Sequence, residues 1–488
     1  MTAPEHDLAV IGGGPAGLAA ATAAAAHGLS AVLFDEQATL GGQIYRNIEA
    51  VAAGDPGLMG LLGEDYAHGA SLVRAFRDSG AAHAPGTSVW EVEPDGTIGT
   101  LCDGRAALVR ARRVIIAAGA MERPVAIPGW TKPGVMTVGA AQTLLKSANA
   151  VPDGPVVLAG SGPLLALVAW QLAKAGGDIA AVLDTTPRGN YLAALPKLAG
   201  ALGMLGQIRK GRRWLAEARA AGVRFITGVA ALAARGGERL EAVEYEAGGR
   251  TARIETPLLL LHQGVVPNNQ LAASIDCAQR WDELQACWHA ETDDWGATSV
   301  ENVAVAGDAG GIGGARVAEH RGRLAGLDAA CRLGKIDAAT RDRLSAPELA
   351  GLKQTAGLRR FLDTLYAPAP AFLAPARDDV VVCRCEEVTA GELRQVAAHG
   401  CMGPNQAKAF TRAGMGPCQG RMCGLTVAAV IAGARGLSME EVGAYRVRPP
   451  LKPLTVGQLA ELEGVGREVA ALDAMPTKPG DDDASDTA

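Results

Sequence analysis

Two stretches of this chain share one pattern: a short apolar run, a glycine turn, a long apolar segment, a second apolar run and then an acid. The first is HDLAVIGGGPAGLAAATAAAAHG, followed by AVLF and Asp35. The second is GPVVLAGSGPLLALVAWQLAKAGGDIAAVLD, ending at Asp184. Unbroken apolar runs of strand length are buried on both faces, as in parallel sheets covered by helices. Residues 8–11 and 31–34 are therefore expected as inner strands, and Gly28 is placed to end the helix between them. Three more runs follow: RVIIAAGA (113–120), LLLLHQGVVPN (258–268) and VAVAGDAGGIGGA (303–315). The order predicts an α/β fold. One Rossmann-like unit takes residues 1–151 and 269–335, and a second is inserted at 152–268.

After Gly326 the pattern turns helical. The proline-rich APAPAFLAPARDD reads as a linker, so 336–378 is expected as helical segment and linker. Residues 379–436 then read as a small, mainly helical unit. Thr389 and Glu392 have capping-box spacing, Gly400 can end that helix, and further helices are expected after Pro404 and through LTVAAVIAGARG. Residues 437–474 are expected to wrap back, and the acidic 475–488 to be disordered.

Composition narrows the function. The net charge of −6 gives no basic face for nucleic acid. No run of eighteen apolar residues lacks charge or glycine breaks, so no transmembrane segment is expected. The N-terminus carries acid where a signal peptide wants base. Nine cysteines, an odd count, fit reduced thiols in the cytosol. The expected location is cytoplasmic, with peripheral attachment at the inner membrane left open.

Gly12, Gly14 and Gly17 have the G-x-G-x-x-G spacing that brings a pyrophosphate to a helix N-terminus. Asp35 lies 23 residues after Gly12, near the distance expected for an acid on a ribose hydroxyl, with Glu36 as its alternative. RVIIAAGA, with Gly119, and the segment at Gly307 and Asp308 resemble the later fingerprints of two-dinucleotide-domain flavoproteins. That resemblance implies FAD, with Asp308 on the ribityl chain; a helix cap before GGIGG is the competing role. Gly42 and Gln43 sit where that superfamily runs its chain past the flavin. Its disulfide reductases carry a cysteine pair after the Gly-Gly or in the second unit. This chain has GGQIYRN and no pair, which disfavours thiol chemistry at the flavin.

In the second stretch Gly160 and Gly162 supply two glycines, but Leu165 stands where the third belongs. Asp184 lies 24 residues after Gly160. The readings are a second nucleotide site, for NAD, NADP or ATP, and an empty structural repeat.

Cys383 and Cys385 are one residue apart, and Cys418 and Cys423 follow in a glycine-rich loop. Four thiolates from an entry loop and a helix start suit a 2Fe-2S cluster, with Lys408, Arg412 and Arg421 offsetting its charge. The alternatives are structural zinc, which prefers wider knuckles than C-x-C, and unliganded core cysteines. Cys102, Cys277, Cys287, Cys331 and Cys401 read as small core residues. The histidines show no metal spacing; His320 is read as near the flavin, or as a capping or surface residue.

CRCEEVTAGELR with TRAGMGPCQGRMCG resembles the bacterioferritin-associated ferredoxin type of domain. GGQIYR, GAMERPVAIPGW, GVMTVGAAQTLLK, HQGVVPN and YRVRPPLKPLTVGQLAEL extend the likeness over nearly the whole chain. The family is that of the A (alpha) subunits of bacterial opine oxidases, hydroxyproline dehydrogenases and hydrogen cyanide synthase, with the alpha subunit of sarcosine oxidase more distant. The resemblance implies an FAD- and 2Fe-2S-containing electron-transferring subunit. Its partner would be an amino-acid-oxidase-like flavoprotein beta subunit that oxidises a C–N bond. In some members a small 2Fe-2S gamma subunit, or FMN at a subunit interface, is added. The rival readings are a self-contained NAD(P)H-dependent reductase and a zinc-stabilised scaffold without enzymatic activity.

Overall fold

The computed structural model of the chain describes residues 6–462. Strand His6–Ile11 lies at the centre of a parallel sheet, between Ala31–Phe34 and the C-terminal half of Arg105–Ile116. Ala82–Ala84 and Val303–Val305 flank these. The N-terminal half of Arg105–Ile116 leaves the parallel sheet and pairs antiparallel with Thr97–Cys102, which pairs with Thr87–Val92.

Helix Pro15–Ala26 is almost all alanine, and its small side chains bring it close to a second helix as well as to the sheet. Helix Ala315–Arg332 packs against it. A Cβ on Gly322 or Gly326 would overlap the carbonyl oxygen of Ala16 or Ala20. The two backbones therefore touch at interior packing density, and residues 303–332 close the first unit from beyond the insertion.

The second unit holds a parallel sheet in the order Phe225–Thr227, Ile179–Asp184, Val156–Ser161, Leu258–Gln263, Val135–Thr137. Its edge strand lies upstream of the entry expected at residue 152, so the chain joins this unit earlier. An antiparallel sheet of Val229–Arg235, Ala242–Ala247 and Arg250–Glu255 accompanies it. The two units connect through a crossover in which Ala120–Glu122 pairs antiparallel with Val265–Pro267.

The expected linker contains a helical turn, Pro370–Leu373, whose Phe372 is buried in the core of the second unit. The cysteine-bearing unit has a short hairpin, Val381–Cys383 with Val388–Thr389, and helices Ala390–Ala398, Pro404–Thr411 and Gly424–Arg435. The Thr389–Glu392 capping box is made in both directions. Trp130 Nε1 of the second unit donates to the Val381 carbonyl at 2.6 Å. Downstream, Leu451 N–H donates to the Trp90 carbonyl at 2.8 Å and its side chain joins the core of the first unit. The expected acidic tail lies outside the described residues. No helix among the described residues is long and apolar enough to cross a membrane.

Candidate functional site

A cavity of about 1510 Å³ opens above the first glycine turn and extends to the second. Gly12 adopts φ +112°, and a Cβ there would overlap the Ala117 carbonyl; a Cβ on Gly17 would overlap Gly12 itself. These contacts hold helix and strand together and leave the Gly12–Gly14 turn on the cavity wall. Asp35 is buried at the end of its strand. Its Oδ2 accepts from Gly13 N–H at 2.5 Å and its Oδ1 from Gln37 N–H at 2.7 Å. Burial pushes its carboxyl up from the usual range, and these two N–H groups oppose the shift. Glu36 also borders the cavity but is exposed and pairs with Lys452 at 2.5 Å. Asp35 is thus the acid fixed in place.

Gly42 and Gln43 border the same cavity, and a Cβ on Gly42 would stand 2.8 Å from Gly14 Cα. Gly119 and Asp308 border it too. Asp308 Oδ1 accepts from Gly313 and Gly314 N–H at 2.8 and 3.0 Å, which ties it to the GGIGG loop before the helix while it still borders the cavity. Gly307 packs against Ala16 instead, where a Cβ would come within 2.6 Å. His320 pairs with Glu348 at 2.5 Å on the long helix Ala338–Leu365 and does not border the cavity.

These residues fit FAD. The cavity exceeds the roughly 300–1,000 Å³ of ordinary small-ligand sites. Gln270 Oε1 is buried on its wall without a hydrogen-bond partner. No cysteine borders the cavity among the described residues.

The second turn is built differently. A Cβ on Gly160 would overlap the His262 carbonyl, so this glycine serves sheet packing. Gly162 borders the cavity; Asp184 does not, and accepts instead from Thr186 N–H at 2.9 Å. The wall near this turn carries polar groups that the spacing of motifs does not reveal. His262 Nδ1 pairs with Glu122 Oε1 at 2.7 Å, and Glu122 Oε2 accepts from Gly139 N–H at 2.7 Å. Gln263 Oε1 is buried there without a partner.

Lys146 was also not singled out from the sequence. Its Nζ donates to the Gln43 carbonyl at 3.1 Å and to Gln142 Oε1 at 3.0 Å; Gln142 in turn donates to Gln171 at 2.8 Å. Burial, helped by the Arg46 charge, holds this lysine down at about 7. Its only sequence signal is the four-residue step from Gln142 to Lys146 in a helix with an apolar face.

The four cysteines of the C-terminal unit meet as two pairs, Cys383 with Cys423 and Cys385 with Cys418, with electrostatic coupling between the pairs. The hydrogen bond from Cys423 holds the Cys383 thiol down at about 5 and pushes Cys423 far up. Gly414 N–H adds a 3.5 Å contact to Cys383 Sγ. Among the described residues no three His, Cys, Asp or Glu side chains surround a single metal position. Four thiols gathered from the hairpin and the glycine-rich loop are a donor set that either a four-thiolate zinc or a 2Fe-2S cluster can use. Of the three expected cations, Arg412 is taken by Glu386 at 2.8 Å, Arg421 borders the large cavity, and Lys408 lies 4.7 Å over the Tyr445 ring and acts on Cys423. Tyr445 explains the loop's glycines: Cβ atoms on Gly414, Gly420 or Gly424 would come within 2.6 to 3.1 Å of its ring.

The family model for pyridine nucleotide-disulphide oxidoreductases matches residues 6–322. The A-type polypeptide of opine oxidase from Agrobacterium tumefaciens (strain Ach5) is 40% identical over 99% of this chain and 96% of its own length. The chain belongs to this oxidoreductase family, in the group that includes the A-type polypeptides of opine oxidases. A second model, the sarcosine oxidase A3 domain, matches residues 379–462. Within the same group, hydrogen cyanide synthase subunit HcnB of Pseudomonas protegens is 30% identical over 91% of this chain and 95% of its own. The crystal structure of L-proline dehydrogenase from P. horikoshii shares the fold, with TM-score 0.66 and 19% identity over 93% of this chain and 79% of that one. Membership bears out the expected α/β flavoprotein fold and the expected oxidoreductase class. The relatives are named as subunits, so the group works in multi-subunit complexes.

Proposed function

We propose that this chain is the FAD- and 2Fe-2S-bearing electron-transfer subunit of a heteromeric dehydrogenase for an amino acid or opine. On this reading the C–N bond is oxidised on a partner flavoprotein of the amino-acid-oxidase type, and the electrons pass through this chain. A small 2Fe-2S subunit, interfacial FMN and a cytoplasmic, peripherally membrane-attached location belong to the same proposal. One observation carries it. The cavity that begins at the first glycine turn also reaches Arg421 and Met422, inside the loop between Cys418 and Cys423. The two candidate sites therefore share a wall.

Bound FAD would exchange electrons in pairs and a cluster would exchange them singly. The chain's own residues supply the setting. Gly12–Gly14 and Asp35 would hold the adenosine end, and Asp308 the ribityl chain. Lys146 holds a loosely bound proton at Nζ beside the Gln43 carbonyl. Cys383, Cys385, Cys418 and Cys423 would hold the cluster.

The test is an anaerobic titration of the copurified complex. Amino-acid or opine substrate should bleach the flavin of the complex and not of this chain alone, and the chain should carry acid-labile sulfide that Cys383→Ser removes. Zinc in place of iron and sulfide would overturn the cluster assignment. Because the cavity also reaches Gly162 and His262, a self-contained NAD(P)H reductase is the second reading. Rapid bleaching of the isolated chain by NADH would select it.

A further inference from the structure

The connection between Ile179–Asp184 and Phe225–Thr227 spans residues 185–224. That is far more than the dozen or so residues a parallel crossover needs. It forms Arg188–Ala194, Leu198–Ala201 and Leu205–Ala220, joined by tighter helical turns. Its inner side lies on helix Ala338–Leu365. Ala194 and Ala201 are buried there, and a Cβ on Gly357 would overlap the Gly200 carbonyl. Asn190 Nδ2 donates to the Leu365 and Ala367 carbonyls at 3.1 and 2.9 Å, and Lys197 Nζ to Thr364 Oγ1 at 2.6 Å.

The other side is where the large apolar residues stand. Leu192 is 72% exposed, Leu195 60% and Leu202 54%, with Tyr191 and Leu205 also exposed. A surface helix of a water-facing protein puts its large apolar side chains inward. This segment does the reverse with most of them: Ala194 and Ala201 go to the fold, Leu192, Leu195, Leu202 and Leu205 to the outside, and Leu198 is half-buried. The steps from Leu192 to Leu195, Leu202 and Leu205 are three, seven and three residues, as on one helical stripe. Charge singles out the same segment. Residues 188–213 contain Arg188, Lys197, Arg209, Lys210, Arg212 and Arg213 and no acid, in a chain of net charge −6. Lys210 pairs with Asp65 and Arg213 with Glu217. Arg188, Arg209 and Arg212 are exposed beside the leucines.

We infer that residues 188–213 dock the protein on an anionic lipid bilayer. The leucines enter the boundary between headgroups and acyl chains, and the arginines at the two ends meet lipid phosphate. Tyr191 is the one aromatic residue between 188 and 213, so the aromatic anchors that dominate protein interfaces are few here. Here the apolar surface is mostly flexible aliphatic chains spaced by alanine and glycine and flanked by cations, which suits lipid. The inference deepens the peripheral membrane location in the proposed function and rests on that reading.

Flotation of the full complex with vesicles tests it. Binding to phosphatidylglycerol-containing vesicles should exceed binding to pure phosphatidylcholine by at least about tenfold and fall as salt is raised. The triple variant Leu192→Gln, Leu195→Gln, Leu202→Gln should lose flotation while keeping its unfolding midpoint and bound flavin. Arg209→Gln with Arg212→Gln should weaken flotation severalfold without touching the leucines. A complex that floats with no vesicle, or a triple variant that floats like the parent, overturns the inference. So does a triple variant that sheds its partner subunit, because the stripe is then a protein interface. Substrate-driven bleaching in solution reads the electron-transfer role separately. If it persists while the parent complex fails to float, only the membrane surface is lost.

Discussion

The chain builds the same strand–turn–helix–strand unit twice, and both acids accept from the N–H two residues on, but only the first also reaches its glycine turn. In the first, Asp35 folds back until Oδ2 meets Gly13 N–H. In the second, Asp184 has nearly the same spacing yet stays on its own loop with Thr186. The letter that separates them is the middle one of each turn. A Cβ on Gly13 would overlap Asp35 Oδ2, and the equivalent position in the second turn is Ser161, which has a Cβ. A glycine there admits a carboxylate against the backbone; a serine excludes it. The third glycine reports something else. Gly17 fixes the contact between helix and strand, and the matching position in the second unit holds Leu165, a buried core side chain. Glycine spacing therefore speaks first about packing, and the residue between the first two glycines speaks about where the acid goes.

Three substitutions probe this contrast, from the largest expected effect to the smallest. Gly17→Leu gives the first turn the second turn's third residue. With the Gly12 carbonyl already in contact, the helix must move, and the expected result is loss of soluble flavoprotein, read from yield and flavin-to-protein ratio. A folded, fully flavinated variant would show that the contact is not needed. Gly13→Ser should leave the fold but displace Asp35. Losing one charge-assisted hydrogen bond in a buried site costs about 1.5–3 kcal/mol, so flavin affinity should fall roughly ten- to hundredfold by equilibrium dialysis. The reciprocal Ser161→Gly should leave flavin binding unchanged.

Lys146→Met should leave both glycine turns unchanged and carries a pH signature of its own. The lysine's folded pKa is lowered from 10.5 to about 7. Below about 7 both folded and unfolded chains hold the proton and the burial cost is fully present. Between about 7 and 10.5 the unfolded chain keeps a proton that the folded chain has released, so stability rises with pH. The slope approaches about 1.4 kcal/mol per pH unit. Urea midpoints of the flavin-free protein should climb from pH 7 to 9 more steeply than those of Lys146→Met. Parallel profiles would mean that Lys146 does not release its proton in the folded chain.

What was legible in the sequence was local. Both glycine turns, the strands beside them and the Thr389 capping box are written within a few residues, and they appear where expected. The edge strand Val135–Thr137 was not legible, because three residues carry no period. Tyr445 was not, because its contacts with Gly414, Gly420 and Gly424 join positions 21 to 31 residues apart. The buried row of Gln171, Gln142 and Lys146 was hidden for another reason. Polar residues at helical spacing read as a solvated face until a second helix is known to cover them. Asp184 matched a spacing rule while the reason for the rule, a bare glycine opposite, was absent. The cysteines were legible as a set of four, but their division into two pairs depends on how the loop closes around Tyr445.

The small C-terminal unit is fastened at both ends to different neighbours: Trp130 holds its entry at Val381, and Leu451 anchors its exit against Trp90. The two larger lobes already meet at their crossover, in a shared core and where Lys210 pairs with Asp65, and the C-terminal unit adds a further tie, like a clasp on a shut book. If electrons pass through this chain as proposed, the fold sets the gap they cross, so their rate should follow separation and driving force and be unchanged by solvent viscosity.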